Sequence, residues 1–317
     1  MAPRAVVTRR IPEPALETLR AAAEVDVSDA DRALEPDELH AWIAGADGIV
    51  TMLHDRVDDA FLDAAGPQLK VVANVAVGYD NIDVDAVRAR GVLATNTPGV
   101  LTDATADLAI ALMLAVTRRL GEGERLIRSE TGWAWAIDFM LGTSPQGKTL
   151  GIVGYGAIGR ATAARARVFG MRIAYHQRRR AEDADGARFM ALDELLASAD
   201  VVSLHCPLTR ETRHLIDADA LARMRSSAYL INTARGPIVD EAALAEALAA
   251  GRIAGAGLDV FEEEPKVHPG LIGLDNAVLV PHLGSATVET RIAMADLAVR
   301  NVVAVLRGDS PPTPISV

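Results

Sequence analysis

Short β-branched runs alternate with Ala- and Leu-rich stretches of helical period along this 317-residue chain. Strand-like runs occupy residues 4–8, 48–51, 69–74 and 92–95, with helical segments at 14–23, 36–44, 58–64 and 83–89. The second half repeats the pattern, with strands expected at 149–153, 172–175, 201–204, 228–232, 256–258 and 277–279 and helices between them. Strands joined through helices pair in parallel, and a parallel sheet needs both faces covered. The alternation therefore predicts an α/β fold of two Rossmann-like, doubly wound parallel-sheet domains with an inter-domain cleft, and the length allows two buried cores.

Asn96-Thr97-Pro98-Gly99 punctuates the chain before a helix expected to run from about Thr102 to Glu130, and a loop at 142–147 precedes the next strand. The strands before Pro98 are short of a full covering layer. The last helix, after Gly284 and ending at Arg307-Gly308, is expected to return to them. This predicts a discontinuous domain of residues 1–99 plus 285–317 around an inserted domain of residues 100–284.

The net charge of −11 argues against a nucleic-acid partner held by phosphate contacts. One cysteine, Cys206, rules out an intramolecular disulfide framework. No apolar run reaches the roughly 18–20 residues that span a bilayer. The N-terminal residues read as a first strand and not as a signal peptide, so a cytoplasmic location is expected. His40, His54, His176, His205, His214 and His268 are scattered without metal-ligand spacing, and no metal is expected.

The run Thr149-Leu150-Gly151-Ile152-Val153 leads straight into Gly154-Tyr155-Gly156-Ala157-Ile158-Gly159 and then an Ala-rich helical segment. In such a strand–turn–helix the first glycine makes the turn and the second lets backbone approach a pyrophosphate. The third lets the helix pack on the strand. The anion then meets the free N–H groups of the helix. The inserted domain is thus expected to bind a dinucleotide. Its next strand ends Tyr175-His176-Gln177-Arg178-Arg179-Arg180, without the acid that holds a ribose in NAD sites. A guanidinium fork suits a 2′-phosphate, so NADP(H) is preferred and NAD(H) remains possible.

Three later strands end in polar residues: Asn232-Thr233-Ala234-Arg235-Gly236, then Leu258-Asp259-Val260-Phe261-Glu262-Glu263-Glu264-Pro265, then Val280-Pro281-His282-Leu283-Gly284. Ligands bind outside the carboxyl ends of such sheets, which would bring all three together. Reduction of a 2-keto acid wants these residue types. Arg235 can bind the carboxylate and polarise the keto oxygen, and His282 as imidazolium can donate a proton. Glu264 can hydrogen-bond the other ring nitrogen and favour the charged form. Help of this kind is worth about 10²–10⁴ in rate.

The order and wording of these segments, with Gly78-Tyr79-Asp80-Asn81-Ile82-Asp83, Asn96-Thr97-Pro98-Gly99, Thr105-Ala106-Asp107, Gly147-Lys148-Thr149-Leu150-Gly151 and His205-Cys206-Pro207-Leu208-Thr209, resemble the D-isomer-specific 2-hydroxyacid dehydrogenases over nearly the whole chain. The resemblance implies that Arg235, Glu264 and His282 are the catalytic trio, Glu264 alone of its three acids holding the matching position. It implies that Asp259 bonds the nicotinamide carboxamide and that Thr105, His205, Cys206, Pro207, Thr212, Thr233, Ala234 and Gly284 line the cofactor pocket. Backbone N–H groups of Val77 and Gly78 would grip the substrate carboxylate, and Leu53 would line the substrate pocket. His176-Gln177-Arg178-Arg179 resembles the NADP-using glyoxylate/hydroxypyruvate reductase branch. By the same resemblance the protein is a homodimer in which Trp133 or Trp135 reaches a neighbouring active site.

Two departures stand out. Ala76 replaces a commoner glycine near the carboxylate loop, and Pro237 replaces a second glycine after Arg235 and removes a backbone donor. Two other readings stay open: a phosphoglycerate- or phosphite-type dehydrogenase on the same scaffold, and a non-enzymatic NAD(H)-sensing protein. Cys206 has no base nearby in sequence and is read as packing, and Arg118-Arg119 as a solvated helix face.

Overall fold

The structure, a computed structural model, describes residues 2–30 and 32–315. Contacts divide the chain into two compact units, Met1–Leu101 with Ala286–Val317, and Thr102–Ser285.

The first unit holds five parallel strands, β1 (Arg4–Val7), β2 (Glu24–Val27), β3 (Gly48–Thr51), β4 (Val71–Asn74) and β5 (Leu93–Thr95), in the order β2-β1-β3-β4-β5. Every residue of β3 and β4 is buried, as central strands covered on both faces require. β2 escapes a search for apolar runs because its acids alternate with valines. It is an edge strand, exposed and half-buried by turns. Helices α1 (Glu13–Arg20), α2 (Pro36–Ile43), α3 (Asp59–Ala65) and α4 (Val84–Ala89) connect the strands. The carboxylates of Asp58 and Asp83 cap α3 and α4, accepting from Phe61 N–H at 3.2 Å and Ala86 N–H at 3.0 Å. Leu39, Ile43, Phe61 and Leu62 pack on Val6, Ile49 and Val72. The C-terminal helix (Val288–Leu306) lies against β3, β4 and α1.

The second unit opens with α5 (Thr102–Thr117) and α6 (Leu120–Arg128). These replace the single helix expected to run to Glu130. The chain breaks at Arg119, which takes a left-handed φ of 55°. The cause is tertiary: the carbonyl of Thr117 accepts from Thr143 N–H at 2.8 Å, on the returning loop. Arg119 therefore does not decorate a solvated helix face but sits at the break, forked onto Glu122 at 2.7 and 2.8 Å. Seven parallel strands follow: β6 (Thr149–Val153), β7 (Arg172–His176), β8 (Arg188–Phe189), β9 (Val201–Leu204), β10 (Tyr229–Asn232), β11 (Gly255–Leu258) and β12 (Ala277–Leu279). Their order is β12-β11-β10-β9-β6-β7-β8. The two-residue edge strand β8 carried no apolar signal.

One face of this sheet is covered by α5 and α7 (Ala157–Val168), burying Ile110, Leu112 and Met113 with Leu150, Ile152 and Tyr175. The other is covered by α8 (Leu192–Ser198), α9 (Ala218–Arg223) and α10 (Glu241–Ala249), around Leu195, Leu221, Leu230 and Leu244. Burying each such Leu, Ile or Met contributes about 1.5–3 kcal/mol. The sheet grows one way from β6 and the other way from β9, so connections diverge between their carboxyl ends and leave a crevice there.

Candidate active site

Gly154 turns the chain out of β6 at φ 94°. A methyl group here would lie 2.5 Å from Cys206 N and 2.6 Å from the His205 carbonyl carbon, so the turn rests directly on the loop after β9. Gly156 caps α7, and a methyl group there would meet nothing within 4 Å. The ground over the helix N-terminus, formed by Tyr155, Gly156, Ala157, Ile158 and Gly159, is therefore open to a ligand.

Gln177, standing where an acid is missing, accepts from Tyr155 N–H at 3.2 Å and donates to the Arg179 carbonyl at 2.7 Å. It ties the turn to the end of β7. Arg178 and Arg179 are exposed beside it, and His176 Nδ1 lies 3.0 Å from the Met190 carbonyl oxygen.

At the adjacent strand ends His205 Nδ1 and Thr233 Oγ1 are buried with no hydrogen-bond partner among the described residues. An unpaired buried polar atom is costly unless a ligand meets it. Burial holds His205 neutral, its pKa lowered to about 4, with Nε2 2.9 Å from Ser203 Oγ. Burial pushes the Cys206 thiol up to about 11, so it is no nucleophile at neutral pH. Thr212 donates to the Pro207 carbonyl at 2.7 Å and Thr105 to the Gly284 carbonyl at 3.1 Å. A free helix N-terminus, an open cradle and two orphaned polar atoms fit a dinucleotide, with its diphosphate over α7.

Arg235 leaves the end of β10 in extended conformation. Asn232 holds this turn, donating to the Arg235 carbonyl at 2.9 Å and accepting from Ala234 N–H at 3.0 Å. Gly236, which opens a 3-10 turn, is seated against the next loop. A methyl group on it would lie 1.9 Å from the carbonyl carbon and oxygen of Phe261. Pro237 suits that turn, and its carbonyl accepts from His214 N–H at 2.8 Å.

His282 Nδ1 lies 2.8 Å from Glu264 Oε2. Burial works against the Glu264 carboxylate, yet the His282 hydrogen bond and charge, Phe261 N–H and Arg235 outweigh it and hold its pKa below the usual range. His282 takes a left-handed φ of 53°, unfavourable for a residue with a Cβ. Asp259 enforces it: its carbonyl accepts from His282 N–H at 2.8 Å, and its carboxylate accepts from Leu283 and Gly284 N–H groups. Burial pushes that carboxyl above its ordinary pKa, against the two N–H donors. Asp259, assigned from sequence to a cofactor carboxamide, is here engaged with the histidine turn.

In the first unit, Leu53 follows β3, and Val77 and Gly78 follow β4. The Ala76 carbonyl accepts from Thr97 N–H at 2.9 Å and the Val77 carbonyl from Asn96 Nδ2 at 2.8 Å. In a trans peptide N–H points opposite to C=O, so both bonds turn the N–H groups of Val77 and Gly78 the other way. Asn74 adds a bond to the Gly78 carbonyl at 3.0 Å. Asn74 was not singled out in the sequence and Asn96 only as part of the Asn96–Gly99 turn, although an amide at a strand end is a visible cue for such a role. Trp133 and Trp135 lie in an exposed stretch of the second unit, Trp133 stacked on Phe139 with ring centroids 6.1 Å apart. Among the described residues no group of three or more His, Cys, Asp or Glu is placed to hold a metal, and no helix is long and apolar enough to cross a membrane.

Residues 110–284 match the family model for the D-isomer specific 2-hydroxyacid dehydrogenase, NAD binding domain. A glyoxylate reductase of Thermococcus onnurineus is 49% identical over 320 residues, covering 99% of this chain and 96% of the relative. The chain belongs to the D-isomer-specific 2-hydroxyacid dehydrogenases. The TT0316 protein of Thermus thermophilus superposes on this chain with a TM-score of 0.93 at 47% identity, covering 99% of this chain and 100% of that one. An NADPH-dependent glyoxylate/hydroxypyruvate reductase from Sinorhizobium meliloti, solved with NADP and malonate, gives 0.89 at 37% identity over 100% and 97% of the two chains. As a member of this family the protein is an oxidoreductase scaffold with a nicotinamide-cofactor domain, and in sequence it groups with the glyoxylate reductase branch.

Proposed function

We propose that this dehydrogenase reduces a small 2-keto acid of the glyoxylate or hydroxypyruvate kind to the D-2-hydroxy acid, using NADPH in preference to NADH. The observation that carries this reading is the 2.8 Å contact of His282 Nδ1 with Glu264, in the same unit as the glycine turn and with Arg235 close enough to influence that carboxylate. A bound nicotinamide would supply the hydride for C2. Arg235 pairs with the substrate carboxylate and draws electron density toward the keto oxygen. Glu264 holds the proton on Nδ1, which leaves Nε2 to protonate that oxygen. Val77 and Gly78 N–H groups take the carboxylate and Leu53 lines the pocket. Arg178 and Arg179 take a 2′-phosphate, in keeping with the NADP bound by the Sinorhizobium protein.

The exposed stretch with Trp133, Trp135, Ile137 and Leu141 supports a second copy of this chain as partner, and sedimentation showing only monomer would remove that part. Initial rates over glyoxylate, hydroxypyruvate, pyruvate and bulkier keto acids, with each nicotinamide, test the reaction. The highest kcat/KM is expected for a two- or three-carbon acid with NADPH. No turnover of any 2-keto acid, with cofactor still bound, would leave a nicotinamide-binding protein of another purpose.

A further inference from the structure

The first residue of α10 is an acid that the chemistry above does not use. Glu241 is only 6% exposed, and its side chain turns back from the helix onto the loop that carries Glu264. One carboxylate oxygen accepts from the N–H of Glu262, and the other from the N–H of His268 at 3.1 Å. Those N–H groups bracket the segment 262–268. Glu262 reciprocates, its Oε1 accepting from Glu241 N–H at 2.9 Å. Its Oε2 lies 3.0 Å from His214 Nε2, with Arg213 Nη2 at 3.9 Å. Within the bracket Lys266 N–H donates to the Glu263 carbonyl at 2.9 Å, and from just before it Phe261 N–H donates to Glu264 Oε1 at 3.1 Å.

We propose that Glu241 is a positioning residue for the proton-donating pair, fixing both ends of the Glu264 segment so that this carboxylate meets His282. The inference rests on the trio reading above. Bonds to a charged acceptor are about twice as strong as neutral ones, and two to one buried carboxylate leave its loop little freedom. A displacement of about 1 Å at a reacting pair costs up to about 10²-fold in rate.

His282 is faced by Glu264 and Asp259, with Arg235 acting on Glu264. Glu241 is faced by Glu262 and the His268 backbone, with His214 and Arg213 on Glu262. None of these others touches both ends of the segment.

The test compares Glu241→Gln with Glu264→Gln in keto-acid reduction, reading kcat across pH, the nicotinamide KM and the melting temperature. Reduction takes a proton from His282, so kcat is expected to fall toward high pH, and the test asks where that high-pH limb lies in each variant. Glu264→Gln is expected to move the limb to lower pH. Glu241→Gln retains one acceptor oxygen but puts an amide N–H₂ against a backbone donor. It should move the limb the same way by less and lower kcat roughly tenfold, with the nicotinamide KM within about twofold. A limb that moves for Glu264→Gln but stays put for Glu241→Gln overturns the positioning role, whatever happens to the melting temperature. A limb unmoved by Glu264→Gln overturns the trio reading, and this inference with it. If Glu241→Gln does not fold, Glu241→Asp, charged but one methylene shorter, is read by the same criterion.

Discussion

Two strand-end regions of the second unit solve opposite problems. After β6 the site is made of backbone, a glycine at φ 94° and the open N-terminus of α7, and almost any side chain would spoil it. After β10, β11 and β12 it is made of side chains whose backbone is held by other residues. Asn232 fixes the Arg235 turn and Asp259 forces His282 to φ 53°. A backbone site binds through a shape the chain must keep, whereas a side-chain site can lose its chemistry and keep its shape. The two should therefore fail differently.

The sharpest separation is expected from His282→Ala, which should lower turnover about 10²–10⁴-fold while the dissociation constant of the nicotinamide changes by less than about twofold. A collapse of cofactor affinity on titration would show that the two regions are not separable. Next, Gly154→Ala should do the reverse. It places a Cβ at a left-handed φ and against the Cys206 backbone, so urea unfolding should show a loss of about 2–5 kcal/mol, and the surviving protein should bind nicotinamide poorly.

The third effect lies on the border between the regions. The His205 pKa is lowered from 6.5 to about 4, so the folded state binds fewer protons than the unfolded chain between those values. Stability should be full above about pH 6.5 and fall by roughly 2–3 kcal/mol on acidification toward pH 4. His205→Gln should flatten that slope, and an unchanged slope would assign it to other groups. The smallest effect is expected at Arg178→Ala and Arg179→Ala, which should raise the KM for NADPH severalfold to about tenfold and leave that for NADH nearly unchanged. Equal effects on both would end the phosphate-clamp idea.

The same contrast explains what was legible in the sequence. The glycine turn is visible because only glycine satisfies its backbone, and β6 and β9 because buried parallel strands are continuous apolar runs. Arg235 and His282 are visible because polar groups just past apolar strands have no packing reason to be there, whereas Glu264 stands out from its three acids only through the family resemblance. β2 and β8 were missed because edge strands need little apolar surface. The break at Arg119 was missed because Thr143, 26 positions beyond Thr117, takes the Thr117 carbonyl. Nothing in the sequence singles out Glu241, or Glu262 among its three consecutive acids. Their mutual clamp joins positions 21 apart, and nothing local announces it.

One feature of the first unit bears on how the protein is made. Its sheet is closed by the helix Val288–Leu306, which leaves the ribosome only after all of Thr102–Ser285. At about 5–20 residues per second, the nascent β3 and β4 wait roughly ten to forty seconds with one apolar face bare, while the inserted unit can already mature. The amino-terminal unit is thus the last to finish, and its bare sheet face is where chaperone cover would be needed.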